Sequence, residues 1–246
     1  MDKNEKTRWE TRGIIKGRVP MAYTEQEIPG KILYSDAESE NVSRKSCDML
    51  SWINQSMSPG KKLLDIGSGP GHLEYWNMKI NKPPFDITIY DQSSYFLNIA
   101  QEKIPNLKAV KADLPHLPFP DNQFDGVICI DILEHIYPET ALQTVYESFR
   151  ILKPGGWIFI SIPNRHTWTR VYFNVIRHVW LASRKEIRAL LETAGFDEKT
   201  IHIKTRGFPG ANTYHELTRK VAGKASDFYL PCGGSVILAN AQKPTN

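Results

Sequence analysis

Short apolar runs alternate with amphipathic segments at helical spacing over most of this chain, starting near residue 61. Leu63-Leu64 and Val127-Ile128-Cys129-Ile130 lack the polar interruptions of a half-exposed strand. Runs of this kind read as strands buried on both faces, as in a parallel sheet between two helix layers. The pattern predicts strands at 62–66, 86–91, 107–111, 124–130 and 156–162, and helices at 71–80, 93–103 and 138–151. Lys82-Pro83-Pro84, Ile104-Pro105-Asn106 and Lys153-Pro154-Gly155-Gly156 punctuate them. The fold class is therefore α/β, with a doubly wound, Rossmann-like sheet.

The flanks read differently. Up to about residue 35 no periodicity is sustained, and Pro20, Pro29 and Gly30 point to an irregular arm or lid. Asp36 to Met57 is amphipathic, with Val42, Cys47, Leu50 and Ile53 on one side, and Ser58-Pro59-Gly60 stops it. The expected division is an arm and lid helix over 1–60 and one α/β domain over 61–246. After Pro163-Asn164 the alternation breaks, and Arg165 to Leu181 is rich in aromatic and cationic residues, among them His166, Trp168, Tyr172, Phe173, His178 and Trp180. A helix is predicted at 184–194, with Ser183 as N-cap, Glu186 completing a capping box and Gly195 closing it. Strands near 199–204 and 234–241 complete the sheet.

The turn after the first strand carries the chemistry. Leu63-Leu64-Asp65-Ile66-Gly67-Ser68-Gly69-Pro70-Gly71-His72 is a strand, a glycine-rich loop and a helix start. Open α/β sheets bind ligands at that end of their strands. The spacing is G-x-G-x-G, and His72 stands where the third glycine of a dinucleotide fingerprint belongs. A side chain there obstructs a pyrophosphate, so the expected ligand is nucleoside-like without one.

In these residues the chain resembles the class I S-adenosylmethionine-dependent methyltransferases, in particular their type-11 family and the ubiquinone-pathway O-methyltransferases. The likeness continues through Ile87-Thr88-Ile89-Tyr90-Asp91, Lys111-Ala112-Asp113-Leu114-Pro115, Asp131-Ile132-Leu133-Glu134-His135-Ile136 and Ile151-Leu152-Lys153-Pro154-Gly155-Gly156, in the family's order. The resemblance implies a mostly parallel seven-stranded sheet with the last strand antiparallel. It implies S-adenosyl-L-methionine as cofactor, with Gly67, Ser68, Gly69 and Gly71 forming its loop. Asp65 would order that loop and reach the amino group of the cofactor; capping loop amides is compatible with this. Asp91 would accept the ribose hydroxyls. Gln92 and Ser93 would flank adenine and ribose, although Ser93 suits an N-cap equally. Asp113 would accept the adenine amine, beside Ala112 and Leu114. Asp131 lies at the methyl end of the site, and the segments 165–181 and 208–230 would cover the substrate.

His135 is the candidate general base, because an imidazole titrates near neutrality. The same segment often serves structure alone. In the ubiquinone-pathway enzymes two acids and the histidine at matching positions can hold a divalent metal. Here Asp131 replaces the first glutamate with a shorter side chain, and no metal is assigned.

Composition narrows the reading further. The chain has 246 residues, enough for one α/β domain with additions. No apolar run is long enough to span a membrane, and the start of the chain lacks an export signal, so a cytoplasmic location is expected. The net charge of +4 is spread rather than gathered in one stripe, which argues against nucleic acid as a partner. The three cysteines show no C-x-x-C spacing, and Cys129 reads as a buried hydrophobe. Pro231-Cys232 echoes a nucleophilic dipeptide of cytosine methylation, but at the wrong place along the chain.

The expectation is methyl transfer to an O or N atom of an aromatic or amphipathic small molecule, in quinone or secondary-metabolite biosynthesis, by a monomer or homodimer. The alternatives are a cyclase or other non-methylating enzyme using the same cofactor, and a non-catalytic cofactor-binding subunit.

Overall fold

In the computed structural model the described residues are 40–166, 178–206, 229–230 and 236–245. The N-terminal arm, Pro231-Cys232 and most of the two expected substrate-side segments lie outside them.

Five parallel strands are laid down first: β1 (Lys62–Ile66), β2 (Asp86–Asp91), β3 (Lys108–Lys111), β4 (Phe124–Ile130) and β5 (Leu152–Pro163). Then come β6 (His202–Arg206), the two-residue β7 (Tyr229–Leu230) and β8 (Val236–Gln242). The sheet order is β3-β2-β1-β4-β5-β8-β6-β7. β8 inserts antiparallel between β5 and β6, as expected of the last strand. β7, antiparallel to β6, is an eighth strand absent from the sequence expectation.

Among the described residues, five helices cover the sheet: α1 (Glu40–Asn54), α2 (His72–Ile80), α3 (Ser94–Lys103), α4 (Pro138–Ile151) and α5 (Arg184–Ala194). Successive strand residues feed opposite cores. Leu64, Val127, Cys129, Ile158, Ile160 and Ile237 join Val145, Leu190 and Leu191 of α4 and α5. Leu63, Ile128, Phe159 and Leu238 join Leu50 and Ile53 of α1, Leu73 of α2 and Leu97 of α3 on the other face. This two-sided burial explains the uninterrupted apolar runs. In α1 the buried face is Ser46, Met49, Leu50 and Ile53, with Cys47 only half-buried at its margin. Trp52 of the same helix meets Phe159 of β5 edge-on, ring centroids 5.3 Å apart. The expected lid helix is thus also a wall of the core.

β5 starts earlier than its apolar run. Leu152 already pairs with Phe124, and the register slips before Gly126 meets Trp157. The turn-forming Pro154-Gly155-Gly156 is absorbed as an irregularity inside the strand, with Gly155 at φ 77°. The helix at 184–194 is as predicted. Ser183 Oγ accepts the Glu186 N–H at 3.3 Å, and the Glu186 carboxylate accepts the Ser183 N–H at 2.7 Å.

β1 and β4 are neighbours, but the chain leaves β1 for β2 and β3 before returning to β4. The carboxyl ends of β1 and β4 therefore form the topological switch point, where such sheets open a crevice.

Candidate active site

The loop leaving β1 and the turn leaving β4 close on each other at this crevice. A Cβ placed on Gly67 would lie 2.7 Å from the side chain of Ile132. Gly67 and Ser68 donate their N–H groups to the Tyr90 carbonyl at the end of β2, at 2.7 and 3.4 Å. The Ser68 side chain stays local, within 3.5 Å of the Gly69 carbonyl.

The three loop glycines all have positive φ, yet they serve different ends. Gly71, at φ 75°, opens α2, and its missing Cβ would stand 2.8 Å from Ala100 Cβ of α3. It is a packing glycine. Gly69, at φ 55°, has nothing within 4 Å of where a Cβ would point. That side of the loop faces open space, as a surface approached by a ligand must.

Asp91 fastens this loop. One carboxylate oxygen accepts the Gly69 N–H at 3.0 Å and the other the Ser93 N–H at 2.8 Å. Burial raises its carboxyl above the ordinary range, against the pull of these backbone donors. The carboxylate oxygens keep further lone pairs for a ligand hydroxyl. Ser93 is buried and caps α3, its hydroxyl accepting the Phe96 N–H at 3.4 Å. Gln92 beside it is half-buried. Ala112 donates its N–H to the Asp91 carbonyl at 3.3 Å, which brings the 112–114 segment to the same strand ends. Asp113 is exposed there and Leu114 half-buried. Beneath them the Tyr90 hydroxyl donates to the His116 carbonyl at 2.9 Å.

Asp65 is 5% exposed and faces another buried acid, Glu74 of α2, 2% exposed. Both Glu74 oxygens are buried without a hydrogen-bond partner. Burial pushes the Glu74 carboxyl up to about 7 and raises Asp65 well above its ordinary value, the neighbouring acid adding to the effect on Asp65. Burial thus favours the uncharged form of both acids. Glu74 has no motif signature, since an acid in the first turn of a helix is ordinary. Its burial beside Asp65 appears only in the folded chain.

At the end of β4, Asp131 takes a left-handed backbone with φ 53°. Its carboxylate accepts the Ser161 hydroxyl at 2.8 Å and pairs with Lys45 of α1. Burial works to raise this carboxyl, but Lys45, Ser161 and His135 outweigh it and hold it below the ordinary range. The Asp131 oxygens are thus engaged by Lys45 and Ser161.

A different grouping forms instead. A short 3-10 turn, Leu133–His135, follows β4. The Glu134 carbonyl accepts the N–H groups of Val179 and Trp180 at 2.9 and 3.2 Å, which pins residues 178–180 against the turn. His178 is thereby brought 4.0 Å from a Glu134 oxygen, and its ring lies 4.9 Å from that of His135. Among the described residues, Glu134, His135 and His178 offer one donor atom each, all within 4.8 Å of one another. Glu134 and His178 are buried and His135 is half-buried. Burial, and then the charge of Asp131, raise the Glu134 carboxyl well above its ordinary value. The sequence marked His178 only as one of several aromatic or cationic residues; its approach to Glu134 is a product of the fold.

Comparison with known proteins fits this geometry. A family model described as a methyltransferase domain matches residues 64–160. A probable S-adenosylmethionine-dependent methyltransferase of Mycolicibacterium smegmatis is 28% identical over 187 residues, 75% of this chain and 65% of its own. The ubiquinone/menaquinone biosynthesis C-methyltransferase UbiE of Brucella suis is 32% identical over 115 residues, 44% of this chain and 42% of its own. The chain thus spans less than two thirds of either relative. A solved S-adenosylmethionine-dependent methyltransferase from Archaeoglobus fulgidus superposes with a TM-score of 0.62 at 18% identity, covering 82% of this chain and 94% of that one. At that identity the likeness speaks for the fold alone. Among the described residues, no helix is long and apolar enough to cross a membrane.

Proposed function

We propose, from the match of residues 64–160 to the methyltransferase domain family, that this chain transfers a methyl group from S-adenosyl-L-methionine to an oxygen or nitrogen of a small molecule. The observation that carries the reading is Gly69, tied to Asp91 on one side and open to the crevice on the other. In this reading Asp91 also receives the ribose hydroxyls and the 112–114 segment flanks the adenine.

The chemistry asks little covalent help of the protein. The acceptor's lone pair forms the new bond to the methyl carbon. The carbon–sulfur bond breaks with its electrons staying on sulfur, leaving S-adenosylhomocysteine. The acceptor's proton must leave, and the cluster of Glu134, His135 and His178 is the place for it. His135 is the half-buried member of the three. Holding donor and acceptor in line supplies most of the remaining acceleration.

The acceptor class follows from the aromatic residues in the sequence of 165–181 and 208–230 and is a phenol or aromatic amine, of the kind handled in quinone or secondary-metabolite biosynthesis. A carbon acceptor is the second reading, favoured by the name of the Brucella suis relative.

Incubating the chain with S-adenosylmethionine and a panel of phenols, catechols and amines tests the proposal. Acceptor-dependent S-adenosylhomocysteine with an O- or N-methylated product supports it. Methylthioadenosine in its place, or a C-methylated product, overturns the transfer or the acceptor atom respectively.

A further inference from the structure

We infer that Glu74, acting through Asp65, ties binding of the methyl donor to the release of a proton. This rests on the methyltransferase reading, which brings the donor's ammonium group to Asp65. Glu74 is then a positioning residue that sets the charge of its neighbour.

Glu74 stands where an acid is hard to keep. It lies on the first turn of α2, is 2% exposed, and has no hydrogen-bond partner at either buried carboxyl oxygen that would serve an ionised group. The side chain it faces is Asp65, itself 5% exposed at the end of β1. Two carboxyls can hydrogen-bond to each other only when one of them carries a proton. The other charge acting on Asp65 is a third acid, Asp91 of β2. Cys129 of β4 also faces Asp65, and burial keeps its thiol neutral. His72 lies two residues before Glu74 on α2 itself. Packing alone gives no reason for an acid at position 74, since an apolar side chain of similar size avoids the desolvation penalty.

A cationic ligand supplies the reason. An ammonium set against Asp65 favours the carboxylate over the acid. The O–H bond of the pair then breaks, its electrons stay on oxygen, and the proton passes to solvent. The sign follows from linkage. The donor binds the ionised pair more tightly, so affinity rises with pH until the pair of the free chain is itself ionised. Burial holds the Glu74 carboxyl up at about 7, which sets that rise across neutrality. A ligand with the adenosine but no ammonium has nothing to exchange for the proton.

The test is calorimetric titration of the full chain with S-adenosylhomocysteine at pH 5.5, 6.5 and 7.5. Each titration is repeated in buffers of different ionisation heat, so that the slope counts protons released. Methylthioadenosine, which lacks the ammonium, is titrated in parallel. The expected result is roughly half a proton or more released per S-adenosylhomocysteine at pH 6.5, and binding roughly fivefold or more tighter at pH 7.5 than at 5.5. Methylthioadenosine should show neither. Glu74→Gln should release no proton and bind S-adenosylhomocysteine more tightly than wild type at pH 5.5, because its amide donates to Asp65 and keeps it ionised. A Glu74 that served structure alone would weaken binding equally at every pH. His72→Asn should keep the release. Flat affinity without proton release, in a wild type that binds S-adenosylhomocysteine, overturns the inference. Equal release with methylthioadenosine does so even where Glu74→Gln fails to fold, as does release that His72→Asn abolishes and Glu74→Gln keeps. No binding of S-adenosylhomocysteine at any pH refutes the methyltransferase reading itself, and the proton linkage falls with it.

Discussion

Gly69 and Gly71 are two residues apart, share a left-handed backbone, and should fail in opposite ways when changed to alanine. Forcing an L-residue into this conformation costs roughly 1–2 kcal/mol. Stiffening the unfolded chain returns about 0.4–1 kcal/mol. At Gly69 nothing else is met, since the added methyl points into open space. The expected stability loss is about 1 kcal/mol or less. At Gly71 the methyl lands 2.8 Å from Ala100 Cβ and 3.4 Å from Ala100 Cα. Overpacking of this kind adds roughly 1–3 kcal/mol, so Gly71→Ala should lose about 2–4 kcal/mol. Urea unfolding measures the stability, and calorimetric titration with S-adenosylhomocysteine measures the affinity. Gly69→Ala should fold and lose at least tenfold in affinity, because its methyl fills the ligand's side of the loop. Gly71→Ala should be much less stable but bind nearly normally where it remains folded. Ala100→Gly removes the clashing methyl, so its cost and that of Gly71→Ala should be non-additive by roughly 1–3 kcal/mol. Additive costs, or a Gly69→Ala that binds like wild type, would refute the division of labour between the two glycines.

Three further outcomes follow from the same geometry. Glu74 titrates near 7 in the folded chain against an ordinary 4.5, so the folded state holds the extra proton between those values and stability falls as pH rises through that window. Glu74→Gln should flatten that fall, worth roughly 2 kcal/mol between pH 5.5 and 8 from the size of the shift, in urea melts at those two values; an unchanged slope would remove Glu74 as its source. Asp91→Ala should cut S-adenosylhomocysteine affinity at least tenfold and cost roughly 1–3 kcal/mol of stability, because the Gly69 and Ser93 N–H groups lose their acceptor; unchanged affinity by calorimetry would take Asp91 out of the site. Ser183→Ala should cost about 1 kcal/mol through the lost cap of α5 and leave that affinity unchanged, because the Ser183 hydroxyl is engaged with Glu186 of its own helix.

The parts of this molecule legible in its sequence are those set by neighbours along the chain. Val127 to Ile130 announced a strand buried on both faces because every residue of a central parallel strand must find an apolar partner. Ser183 and Glu186 announced their helix because a capping box is complete within four residues. The loop glycines announced a ligand turn, but their separate tasks depend on Ala100 of α3 and Ile132 beyond β4, which only the fold brings close. The same holds for the pairs that give the site its electrostatics. Lys45 reaches Asp131 from a helix expected as a lid, and Glu74 meets Asp65 because α2 packs back across β1. His178 meets Glu134 only after the chain has run through β5 and returned. Asp91 sits between these cases. Its place at the end of β2 is plain from sequence, while its grip on Gly69 is not, and that grip means that removing it costs stability as well as affinity.

The central claim is that the crevice between β1 and β4 binds S-adenosylmethionine and not a dinucleotide. Calorimetric titration of the full chain with S-adenosylmethionine, set beside NADH under identical conditions, tests it most directly. The expected result is one saturable site for S-adenosylmethionine, lost in Asp91→Ala, and no heat with NADH. No binding of S-adenosylmethionine, or NADH binding of equal strength, would contradict it.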